Sequence, residues 1–202
     1  MDFKYITIDG VIGVGKTTLA KMIAEKYNGS ILLEEVEENP FLSDFYKDPK
    51  HYAFSTQLFF LLSRYRQQQS ILQQDLFHNL LVSDYLFAKD KIFAYLNLED
   101  RELMLYEKIM SLLEREIVKP DLVIYLKSSP DRLMNNIKKR GRPYEREMSK
   151  EYIESLNIAY NRFFNHYKQT PLLTLNVTEL DFVSYPEDFE KIIKIIENKN
   201  VD

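Results

Sequence analysis

The segment Gly10-Val11-Ile12-Gly13-Val14-Gly15-Lys16-Thr17 has the spacing G-x-x-x-x-G-K-T, and Thr18 follows it. Each residue type in that pattern has a chemical task. Glycines let successive backbone N–H groups curl around phosphate oxygens, Lys16 can reach β- and γ-phosphates, and the Thr17 hydroxyl can ligate Mg²⁺. The chemistry is nucleoside triphosphate binding with Mg²⁺, and the loop by itself does not decide between kinase, GTPase and motor. Only five glycines occur in the 202 residues, and three of them stand in this loop. Average usage would supply roughly fourteen.

Three carboxylates stand where apolar runs end: Asp9, Glu34 and Asp84. Phosphoryl transfer to a hydroxyl benefits from a carboxylate that takes its proton, and Glu34 or Glu35 is placed to do so. Successive strand side chains face opposite ways, so only one of the two can point into a cleft. A further glycine, Gly141, sits inside the basic run Lys138-Lys139-Arg140-Gly141-Arg142-Pro143-Tyr144-Glu145-Arg146. Arginines closing over a triphosphate would meet the charge that spreads over its oxygens in the transition state. Lys and Arg also suit the last turn of an ordinary helix, so this run by itself leaves both readings open.

Those residues need a scaffold, and the apolar pattern supplies one. Short runs rich in Ile, Leu, Val and Tyr, at Phe3–Asp9, Ser30–Glu34, His78–Asp84, Asp121–Lys127 and Pro171–Val177, alternate with helix-length segments near 15–27, 50–75, 88–118, 130–139, 148–168 and 186–198. Near-continuous apolar character fits strands buried on both faces of a parallel sheet. The expected fold is α/β: a doubly wound, five-stranded parallel sheet flanked by helices, in one domain over 1–202, with a helical lid near 138–147. In such sheets ligands lie beyond the carboxyl ends of the strands, which is where the three carboxylates fall.

Composition removes other chemistries. No cysteine and only three scattered histidines leave no thiolate nucleophile and no zinc site of the usual kind. A net charge of −4 argues against a general nucleic-acid binder. The longest apolar run, Leu58–Leu62, cannot span a bilayer, and no cationic, apolar leader opens the sequence. A cytoplasmic protein with small-molecule ligands is expected. An Asn-Lys-x-Asp segment of the GTPase kind is absent.

From the phosphate loop to about Val183 the chain resembles the deoxyribonucleoside kinases, the group that contains deoxycytidine, deoxyguanosine and bacterial deoxyadenosine kinases. Leu33-Glu34-Glu35-Val36 is similar to the family's Glu-Glu-Val element, and the resemblance makes Glu34 the general base for a 5′-hydroxyl. Phe45-Tyr46-Lys47-Asp48-Pro49 looks like the segment whose tyrosine meets the sugar 3′-hydroxyl, and Gln57 with Arg64 follows the family's Gln…Leu-Ser-Arg pattern for the base. Arg140-Gly141-Arg142-x-x-Glu145 resembles the lid, with both arginines on phosphates and Glu145 joining Tyr46. Asp181-Phe182 resembles the loop that cups the ATP adenine. The resemblance implies a homodimer that transfers the γ-phosphate of MgATP to a deoxynucleoside, with a lean towards purines.

One departure stands out. Where the family carries Glu-Arg-Ser or Asp-Arg-Ser, this chain reads Ser83-Asp84-Tyr85, which puts Asp84 in the arginine's place and Lys89 at a base-proximal position. The expectation is that Asp84 serves as a Mg²⁺ ligand and that Lys89 or Arg64 restores the lost positive charge. Asn136 likewise stands where another lid arginine would be expected, with Lys138 or Lys139 as substitutes. Two alternatives remain at this level: a thymidylate-kinase-like monophosphate kinase, and an ATP-binding protein that has lost catalysis.

Overall fold

A computed structural model describes residues 3–73 and 80–199. Five strands, β1 (Tyr5–Gly10), β2 (Ser30–Leu32), β3 (Leu81–Ser83), β4 (Leu122–Lys127) and β5 (Leu172–Asn176), form one sheet in the order β2-β3-β1-β4-β5. Every pairing is parallel. β1 occupies the centre and is buried at all six residues, which is why its sequence runs apolar without alternation. The helices are α1 (Lys16–Lys26), α2 (Leu42–Lys47), α3 (Pro49–Gln73), α4 (Asp90–Asn97), α5 (Asp100–Leu113), α6 (Pro130–Arg140), α7 (Lys150–His166) and α8 (Pro186–Asn198).

The strand order fixes where a ligand can enter. From β1 the chain crosses through α1 towards β2, whereas from β3 it crosses to β4 on the other side of β1. Neighbouring strands whose connections leave in opposite directions open a crevice at their carboxyl ends. Thr7 pairs in register with Ser83, and their hydroxyls lie 2.9 Å apart, so the segments carrying Asp9 and Asp84 emerge beside one another.

Helix ends follow local chemistry. Ser129 caps α6 by accepting from the Arg132 N–H at 3.3 Å, Pro130 opens the helix, and Gly141 ends it in the left-handed region at φ 68°. Ser149 caps α7 in the same way, through Tyr152 N–H. The core is built on the sheet by Ile6, Ile8, Leu19, Ile23, Val82 and Ile124 against Leu133, Leu156, Ile192 and Ile196, all essentially inaccessible.

Three expectations need correction. The expected helix over 88–118 is two helices: Leu98 is extended, and Glu99 with Glu102 forms a capping box that starts α5 afresh. Strand β2 stops at Leu32 rather than Glu34, which frees Glu34 from the sheet. The short helix α2 was not expected, because its six residues are too few to show a period. The beginning of the expected third strand, His78 and Asn79, and the end of the expected helix near 75 lie outside the described residues.

Candidate active site

The phosphate loop connects β1 directly to α1, with Gly15 as the N-cap residue in a left-handed conformation (φ 101°). Gly13 also has positive φ (86°), and a β-carbon there would lie 2.7 Å from the Leu133 carbonyl oxygen of α6. Only glycine lets the loop pass this close to the neighbouring helix. Asn136 of α6 donates to the Gly13 carbonyl at 2.8 Å, so it braces the loop rather than leaving a gap where a lid arginine was expected. The ammonium of Lys16 curls back onto the Gly10 and Val11 carbonyls, at 2.8 and 3.3 Å. Burial and the nearby Lys89 charge together lower its pKa to about 8.

Asp9 is fully buried and accepts from the N–H groups of Gly10 and Leu86, at 2.6 and 2.9 Å. Burial raises its pKa. Its contacts tie the end of β1 to the segment after β3. Asp84 faces the loop itself: it accepts from the Thr17 hydroxyl at 2.5 Å and from the Glu34 N–H at 2.8 Å. One carboxylate therefore fixes both the helix start that carries Thr17 and the backbone that carries Glu34.

Glu34 points into the cleft, whereas Glu35 is exposed and accepts from the Ser63 hydroxyl at 3.4 Å. Two cations hold Glu34: Arg64 donates through Nε at 2.7 Å and also through Nη2, and Lys89 donates at 2.8 Å. Burial alone would raise the carboxyl's pKa, but the charges of Arg64 and Lys89 overcome it and hold the group far below the usual range. Arg64 in turn contacts Asp90, which is completely buried at the start of α4. Arg64, Glu34, Lys89 and Asp90 thus form a closed network whose charges balance. Asp90 was missed in the sequence. Its signal was a Lys-Asp-Lys triplet, residues 89–91, embedded in the otherwise apolar stretch from Tyr85 to Ala94.

Two cavities meet at the phosphate loop. The first, about 270 Å³, is lined by Lys16, Thr17, Glu34, Tyr46, Gln57, Arg64, Asp84, Lys89, Arg140, Arg142 and Glu145. It brings together the sequence-expected residues of the acceptor side and adds an apolar wall that includes Phe45, Phe60, Phe93 and Tyr152. The second, about 340 Å³, lies on the other side of the loop and is lined by Gly13, Val14, Gly15, Thr18, Asp181 and Phe182. Arg132, Asn136 and Lys139 of α6 line it too, as does Arg140, which faces both cavities. Arg132 carried no sequence signal beyond its charge.

Several contacts define the rims. Phe182 packs where a Gly15 β-carbon would stand, 2.9 Å from its ring, and Asp181 accepts from the Ser184 N–H at 3.1 Å. In the lid, Arg140 donates to the buried Glu145, through Nε at 3.2 Å and also through Nη2. Arg142 lies 3.8 Å from Glu37 and over the Tyr144 ring. The Tyr46 ring packs against Phe45 and Tyr152, and burial pushes its hydroxyl pKa well up.

The family model "Deoxynucleoside kinase" matches residues 6–202. The deoxyguanosine kinase of Bacillus subtilis is 36% identical over 193 residues, covering 93% of each chain. The deoxyadenosine kinase of Dictyostelium discoideum is 39% identical over 196 residues, covering 94% of this chain and 78% of that protein. Among solved structures, the M. mycoides deoxyadenosine kinase with dCMP and dCDP bound superposes with a TM-score of 0.83 at 28% identity, covering 96% of this chain and 99% of that one. Its dATP-bound form gives 0.82 with the same coverage. Fold, sequence and the placing of the phosphate loop converge, and the chain belongs to the deoxynucleoside kinase family.

Proposed function

We propose that this protein transfers the γ-phosphate of MgATP to the 5′-hydroxyl of a purine deoxynucleoside. The observation that carries this reading is the position of Glu34, held as a carboxylate by Arg64 and Lys89 in the wall of one cavity, which the Lys16 loop separates from a second. The first cavity takes the deoxynucleoside and the second the donor nucleotide, so that the phosphates cross between them over Lys16 and Arg140.

Glu34 orients the hydroxyl and takes its proton as the oxygen bonds to phosphorus. Because its pKa is depressed, it is ionised at every working pH. Lys16, Arg140 and Arg142 meet the charge on the transferring group. Tyr46 and Glu145 hold the sugar, while Gln57 offers the base a donor and an acceptor on one amide. Arg64 and Lys89 supply the positive charge that the replaced family arginine would bring. Lys89 therefore works beside the catalytic carboxylate.

The donor set at Asp84 and Thr17, one carboxylate and one hydroxyl 2.5 Å apart, fits a hard cation that keeps most of its ligands as water and phosphate oxygen. Bound there, Mg²⁺ would neutralise charge on the donor phosphates. Asp84→Asn should raise the Mg²⁺ concentration needed for half-maximal activity by about tenfold, as read from a metal titration of turnover.

The purine preference rests on the Gln57 and Arg64 pair and on the relatives' names, deoxyguanosine and deoxyadenosine kinase. The 202 residues act as one domain with the lid at 138–147, and the chain works as a homodimer in the cytoplasm. No helix among the described residues is long and apolar enough to cross a membrane. One panel tests the substrate reading: the four deoxynucleosides and their monophosphates, each with radiolabelled MgATP. Phosphate should reach deoxyguanosine or deoxyadenosine. Transfer to monophosphates alone, or to nothing, would overturn it.

A further inference from the structure

One buried charge beside the site has no task in the reaction as read above. Asp90 is completely inaccessible at the start of α4 and is not among the residues that line the acceptor cavity, whereas Glu34, Arg64 and Lys89 all are. It meets the site only through its ion pair with Arg64.

Charge accounts for its presence. Arg64 and Lys89 are 4% and 2% exposed, and Glu34, which both of them contact, can cancel only one of the two. A second positive charge held out of water is costly until an anion meets it. Asp90 is that anion, and the N-terminal turn of α4 favours a carboxylate as well.

Geometry gives the pair a further consequence. Glu34 lies beyond the end of β2, so no sheet pairing holds it, and its N–H rests on Asp84 at 2.8 Å. The orientation of its carboxylate therefore depends on its two cations. Lys89 brings a point charge on a flexible stem, which fixes a distance better than a direction. Arg64 brings a plane, and that plane is held from every side. Nε and Nη2 donate to Glu34, Nη1 meets Asp90, and the guanidinium lies over the Phe60 ring, 4.8 Å from its centre. Because Lys89 and Asp90 are adjacent in the chain, the turn that opens α4 grips Glu34 twice: directly through Lys89, and through Arg64 by way of Asp90.

Resting on the deoxynucleoside kinase reading, we propose that Asp90 is a positioning residue for phosphoryl transfer, which acts through Arg64 to hold the Glu34 carboxylate in the orientation that receives the 5′-hydroxyl proton. A reacting group displaced by about 1 Å can lose about 100-fold in rate, so a residue that touches no substrate still controls turnover.

Asp90→Asn keeps the shape and removes the charge. Its kcat with deoxyguanosine or deoxyadenosine should fall about tenfold, while the KM for ATP stays within about twofold of the parent's. The decisive measurement is a double-mutant cycle on kcat with Glu34→Gln. Once residue 34 cannot take a proton its orientation no longer matters, so in that background Asp90→Asn should lower the remaining kcat by less than about twofold. A merely structural aspartate would cost the same factor in both backgrounds. Asp90→Ser, which leaves room for water beside Arg64, carries the same cycle if the Asn variant does not fold. Equal losses in the two backgrounds, or an Asp90→Asn enzyme that turns over as fast as the parent, overturns the assignment. A parent that phosphorylates no deoxynucleoside overturns the functional reading too, whereas an active parent with equal losses removes this inference alone.

Discussion

Glu34, the proposed base, combines that role with a low pKa of its own. Arg64 and Lys89 do not compete for its proton; they hold it ionised and oriented, with the remaining lone pairs free for a substrate hydroxyl. Glu34→Gln keeps the shape but cannot take a proton. Turnover should fall at least about 100-fold, while the nucleoside dissociation constant changes only a few-fold; initial rates and calorimetry on the same variant separate the two. Lys16 gives a pH signature of its own. In the free protein its pKa is lowered to about 8, by burial first and by Lys89 second. A bound triphosphate supplies negative charge and draws the pKa back up. ATP binding should therefore take up close to one proton near pH 9 and almost none near pH 7, and affinity should weaken as the pH rises above 8. Calorimetry in two buffers of different ionisation enthalpy measures that proton directly.

At the scale of elements, two glycines in different places predict different losses. A β-carbon at Gly13 would press 2.7 Å from the Leu133 backbone oxygen, an atom that α6 cannot withdraw without moving as a helix. Gly13→Ala should raise the KM for ATP at least about tenfold, since the loop and α6 that frame the donor cavity must separate. At Gly141 the nearest atom to such a carbon is 3.9 Å away, but φ is 68°. There the penalty is conformational only. Gly141→Ala should cost about 1 kcal/mol of stability, read from denaturant midpoints, with a smaller effect on ATP. The same reasoning separates loop from lid: one glycine is required by a neighbour as well as by its backbone, the other by its backbone alone.

At the scale of the whole molecule, one exposed face bears on assembly. Between α4 and α7 lies an apolar groove of about 750 Å³ whose lining includes Ile92, Tyr95, Ile158 and Phe163. Tyr95 is 62% exposed and Ile158 70%, large values for apolar side chains on one face. If the proposed homodimer forms here, Ile158→Glu should convert it to a monomer in sedimentation velocity without unfolding it. A monomeric parent protein would remove the proposal. Ala88 and Lys91 line the groove, and Lys89 between them reaches Glu34. A dimer formed on this face would therefore share the segment around Ala88–Lys91 with the Glu34 network.

The sequence by itself determined the phosphate loop, the parallel sheet and the order of the acidic and basic residues along the chain. These are local: the loop's spacing and the apolar runs are visible wherever they stand. The residue pattern left Glu34 and Glu35 open and the family resemblance chose Glu34; the tertiary structure turns Glu34 into the cleft, because β2 ends two residues earlier than its apolar run suggests. It also gave Asp90 to Arg64 and put Arg132 and Asn136 around the second cavity. Each of those outcomes joins residues far apart in the chain, and burial, charge pairing and orphaned polar atoms exist only once the segments have packed.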